Sequence, residues 1–64
     1  MNKFQEIIFN KIYKTCRAEL IARKREDDEE YNSLIDERIV ELEQIKKSRD
    51  LNKLNDFVRN RFIV

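Results

Sequence analysis

Not one glycine or proline occurs in the 64 residues, and no other property of the chain constrains its fold so strongly. Tight β-hairpin turns draw on residues that accept positive φ, glycine above all, so β meanders and sandwiches are hard to build here. Helices meet no breaker from end to end. Lys, Arg, Glu, Leu and Ile dominate the sequence, and all of them favour or tolerate helix. The expectation is an all-α protein.

So short a chain makes one domain, 1–64, close to the lower limit for folding alone. A core of this size supplies about 3–5 kcal/mol, and small proteins commonly add disulfides, a metal or a partner chain. Cys16 is the only cysteine and there is no histidine, so neither an internal disulfide nor a soft-ligand metal site is expected. Well-packed helices and oligomerisation remain, with a homodimer favoured. Charged residues make up 42% of the chain, yet the net charge is only +1 and 41% of residues are hydrophobic at helical spacing, which argues against disorder. No apolar run approaches the roughly 18 residues of a membrane span, and no signal-peptide core is evident. The expected setting is the cytoplasm, without membrane contact. The wealth of Lys, Asn and Ile fits an AT-rich genome, such as that of a low-GC bacterium or its phages.

Apolar residues first recur at Phe4, Ile8, Ile12, Cys16 and Leu20, with Phe9, Tyr13 and Ile21 beside them. Spacings of three and four set these on one broad face and predict a helix over about 3–25. A second stripe, Tyr31, Leu34, Ile35, Ile39, Leu42 and Ile45, predicts another over about 29–47. Its centre is rotated by roughly 90° from the first, far more than one straight helix drifts per heptad. The phase therefore resets in the charged octet RKREDDEE at 23–30.

The order of charges in that octet suggests how. Cations favour helix C-termini and anions N-termini, so Arg23, Lys24 and Arg25 suit a last turn and Asp28, Glu29 and Glu30 a first turn. Asp27 followed by Glu30 fits a capping box. A continuous helix is the rival, but its Arg23–Asp27, Lys24–Asp28 and Arg25–Glu29 pairs run in the less favourable order. The reading is an antiparallel helical hairpin turning at about 26–28. A third set, Leu51, Leu54, Phe57, Val58 and Phe62, predicts a short C-terminal helix over about 50–62 after a break capped by Ser48 or Asp50. Such a hairpin faces Leu20 with Ile35 and Ile12 with Ile45, and it levels Glu19 with Arg38, for which an ion pair is expected.

No catalytic, cofactor or metal signature appears, and an enzyme is not expected. The clustered carboxylates read as a solvated face, because a chain this small has little room for the cleft that tunes an acid–base pair. Cys16 lies on the apolar stripe with no histidine to activate it and reads as a core residue. Tyr13 and Tyr31 read as stripe-edge residues.

Charge is segregated instead. Residues 1–25 carry seven basic and two acidic side chains, 26–43 one basic and nine acidic, and 44–64 six basic and two acidic. A hairpin gathers these into an acidic tip and a basic opposite end. The function expected is non-enzymatic: a small interaction or regulatory protein that binds another protein through the acidic tip or the third helix, at Leu54, Phe57, Val58, Arg61 and Phe62. Two alternatives stand beside it. One is a nucleic-acid-associated factor holding phosphates through Lys46, Lys47, Arg49 and Lys53 at the basic end. The other is a structural or assembly subunit of a larger complex.

Overall fold

The computed structural model describes residues 1–60 and is all-helical over them. It comprises α1 (Lys3–Ala22), α2 (Glu29–Ser48) and α3 (Leu51–Asn60). The last two positions of the expected third helix, Arg61 and Phe62, lie outside the described residues.

Each helix starts at a side-chain cap. Asn2 caps α1 reciprocally: its Oδ1 accepts from the Gln5 N–H at 2.8 Å, and Gln5 Oε1 accepts from the Asn2 N–H at 3.1 Å. Two N–H groups without helical partners are thereby satisfied. Asp28 caps α2 by accepting from the Tyr31 N–H at 3.0 Å. Asp50 caps α3, its Oδ1 accepting from the N–H groups of Asn52 at 3.0 Å and Lys53 at 3.2 Å.

The octet differs in detail from its sequence reading. α1 ends at Ala22, and no basic residue falls in its last turn. Arg23 and Lys24 close the helix with tighter bonds, their N–H groups reaching Leu20 O at 3.1 Å and Ile21 O at 3.2 Å. Past Ala22 the chain offers nothing apolar to bury until Tyr31, so continuing the helix would gain no packing. Asn32 supplies a non-helical alternative: its Oδ1 accepts from the Arg25 N–H at 2.8 Å and its Nδ2 donates to Arg25 O at 2.5 Å. The Arg25 guanidinium lies 4.6 Å from the centre of the Tyr31 ring, within cation–π range. The cap is Asp28 rather than Asp27, which puts Tyr31 at the third helical position and leaves no reciprocal box with Glu30.

The second connection is two residues long. Ser48 Oγ donates to Ile45 O at 2.6 Å and accepts from the Asp50 N–H at 3.3 Å. Arg49 adopts the left-handed conformation at φ 55°, ψ 34°, and its N–H donates to Ile45 O and Lys46 O. That position is ordinarily glycine's. In a chain without glycine, arginine takes it.

All three helices touch one another, and their buried residues form one core: Phe9, Tyr13, Cys16 and Leu20 from α1, Ile35 and Leu42 from α2, Leu54 and Phe57 from α3. α1 and α2 run antiparallel, as ion pairs Arg17–Glu43 at 3.9 Å and Lys24–Asp36 at 2.5 Å require. α3 starts beside the beginning of α1, where Arg49 pairs with Glu6. It reaches the middle of α1 at Val58, so it runs alongside α1 in the same direction.

Candidate interaction surface

The residues expected to meet a partner on the third helix are largely inside the molecule. Leu54 is 0% exposed and Phe57 only 7%, while Val58 is half-buried. α1 and α2 leave an apolar trough between them, and the amphipathic face of α3 fills it. Arg61 and Phe62 lie outside the described residues.

The basic end is also partly engaged. Lys46 sets its Nζ 4.6 Å from the centre of the Tyr13 ring, and Arg49 pairs with Glu6. Of the four cations expected to hold phosphates, Lys47 and Lys53 alone have no ion pair or ring contact among the described residues. At the tip, Asp28 is occupied as a cap, whereas Glu26, Asp27, Glu29 and Glu30 are exposed.

The expected Glu19–Arg38 pair is not among the ion pairs of the described residues. Arg38 turns along its own helix to Glu41 at 3.4 Å. Interpolating between the cross-helix pairs Arg17–Glu43 and Lys24–Asp36 levels Glu19 with Glu41 rather than Arg38. Glu19 itself is half-buried.

The surface that sequence reasoning missed lies on α1. Phe4 and Ile8 belong to the expected core stripe, yet Phe4 is 71% exposed, Ile8 lies at the surface, and Ile7 beside them is 59% exposed. At 100° per residue, Phe4 and Ile7 point about 150° away from the mean direction of Phe9, Tyr13, Cys16 and Leu20. The cause is an excess of apolar residues: between Phe4 and Tyr13 they spread over about two-thirds of the helix circumference, and one bundle covers only one side. α2 gives way to α3 level with Glu6, and that connection lies against Gln5 and Glu6 rather than against Phe4 and Ile7. The outward stripe continues through Lys11, Lys14, Thr15 and Ala18, all exposed. Around its edge, Lys11, Ile12, Thr15 and Cys16 of α1 form a groove with Val58 of α3.

No group of three or more histidine, cysteine or carboxylate side chains is placed to hold a metal among the described residues. No described helix is long and apolar enough to cross a membrane. The chain matches no protein-family model, no curated protein and no solved structure.

Proposed function

We propose that this chain is a non-enzymatic helical interaction protein, acting in the cytoplasm, and that it binds another protein through the outward face of α1. One observation carries the reading. A molecule with a small core leaves Phe4, Ile7 and Ile8 together in solvent, and contiguous exposed apolar residues of this kind mark contact sites. The third helix is a poorer candidate, because Leu54 and Phe57 are already occupied in the core. Nucleic-acid binding is the lesser alternative, since Lys46 and Arg49 are engaged within the chain. A homodimer would have to cover the same α1 face. An assembly subunit would use that face as well, with its neighbour in the complex as the partner.

The test is an affinity purification from the native host with wild-type and Phe4→Asp/Ile7→Asp chains side by side. Both side chains point away from the core, so far-UV helicity and the thermal midpoint should match the wild type. A polypeptide retained by the wild type and lost from the double variant is the expected result. Identical co-purifying material on both baits would move the binding surface elsewhere.

A further inference from the structure

Resting on that reading, we infer the chemistry of the partner: an acidic amphipathic helix that lies in the groove between α1 and α3. The floor of the groove is apolar, with Ile12 and Val58 half-buried within it, and the exposed Ile8 continues the line of Ile12 along α1. Ile8 and Ile12 are one turn apart, and the trough between two helices takes the ridge of a third, which is the helix-in-groove mode of recognition. On three helices already packed round one core, such a segment adds a fourth.

The rim decides the charge of the occupant. Along the α1–α2 seam the cations have acidic partners within the chain: Arg17 with Glu43, Lys24 with Asp36, Arg49 with Glu6. On the outward side the pattern stops. Lys11 lines the groove itself, Arg59 follows Val58 round α3 by one 100° step, and Lys3 and Lys14 lie across the outward face on the side away from the groove. None of these four forms an ion pair among the described residues. The acidic side chain on this flank of α1, Glu19, is half-buried. A partner in the groove with carboxylates beside its apolar stripe would meet Lys11 and Arg59 on the two rims and little opposing charge.

A second copy of the chain fits less well. Setting α1 against α1 brings Lys3, Lys11 and Lys14 towards their own images. α2 has the acidic charge, but its exposed apolar residues Leu34 and Val40 lie about 120° apart round the helix and form no stripe.

The probe is a synthetic helical peptide of about five turns with leucine at i, i+3, i+4 and i+7 and glutamate on both flanks. Three controls accompany it: the same peptide with lysine for glutamate, a scrambled acidic peptide of identical composition, and vesicles containing anionic lipid. Fluorescence anisotropy should show the acidic striped peptide binding at least about tenfold more tightly than the lysine or scrambled forms. The double variant Lys11→Glu/Arg59→Glu, both at exposed positions, should cut that affinity about tenfold while leaving helicity intact, and binding should weaken as salt rises. Equal binding of the acidic and lysine peptides would overturn the charge assignment yet leave the apolar face as a protein-binding site. Binding to vesicles alone, or a wild-type dimer by light scattering that Ile8→Asp converts to monomer, would overturn both. Binding to none of the probes overturns the proposal.

Discussion

Arg49 bears a backbone cost that its side chain only partly offsets. The left-handed conformation costs an L-residue about 1–2 kcal/mol, and Arg49 adopts it to end α2 and turn the chain into α3. The compensation in view is the ion pair with Glu6. Both side chains are substantially solvent-exposed, and pairs of that kind contribute less than about 1 kcal/mol. Glycine would remove the Cβ clash at the expense of greater freedom in the unfolded chain. Arg49→Gly is therefore expected to raise stability by about 0.5–1 kcal/mol in urea denaturation, whereas the β-branched Arg49→Val should lower it by more than about 1 kcal/mol. A loss of stability in Arg49→Gly would show that the Glu6 contact outweighs the backbone term.

At the scale of elements, α3 completes the core. Leu54 is among the most deeply buried side chains, with Leu42 and Cys16. Removing it leaves a cavity where three helices meet, a change that costs about 2–5 kcal/mol in a close-packed interior. That is comparable with the whole stability expected of so small a core. Leu54→Ala should accordingly abolish most far-UV helicity at 25 °C or shift the thermal midpoint steeply down. Val58→Ala, at a half-buried groove position, should cost less than about 1.5 kcal/mol. If Leu54→Ala melted α3 alone and left α1–α2 cooperative, the hairpin would be a folding unit in its own right.

Helix content was legible at this scale because apolar spacing and the lack of glycine and proline point the same way. The destination of each face was not. The stripe at Leu51, Leu54, Phe57 and Val58 announces an apolar side without saying whether this chain or another covers it. In α1 two overlapping stripes compete, and packing against α2 and α3 chose Phe9–Tyr13–Cys16–Leu20 over Phe4–Ile8. The turn was opaque for a related reason. Its anchor, Asn32, acts on Arg25 across seven residues, beyond the reach of any local capping pattern. The Asn2–Gln5 box is the reverse case, a local capping signal spelled out at 2–5 in the sequence.

For the whole molecule, the segregated charges of the sequence become a stitched seam, with basic α1 beside acidic α2 and ion pairs at Arg17–Glu43 and Lys24–Asp36. These exposed contacts help select the antiparallel arrangement, but burial of eight side chains in one cluster holds it. The consequence is a shape that salt should not change. The described residues measure 43 × 19 × 16 Å, with a Cα radius of gyration of 12.5 Å. A continuous helix through the octet, from residue 3 to 48, would be about 70 Å long at 1.5 Å per residue, and a rod of that length has a radius of gyration of roughly 20 Å. Small-angle scattering on the monomeric peak of a size-exclusion column should give a value a little above 12.5 Å once hydration is included. Raising salt to about 0.5 M screens the seam's ion pairs and should leave that radius unchanged, because the apolar core resists screening. An increase towards roughly 20 Å at high salt would mean that electrostatics alone folds the hairpin. The octet would then be a charge-operated hinge rather than the fixed turn that Asn32 and Asp28 build.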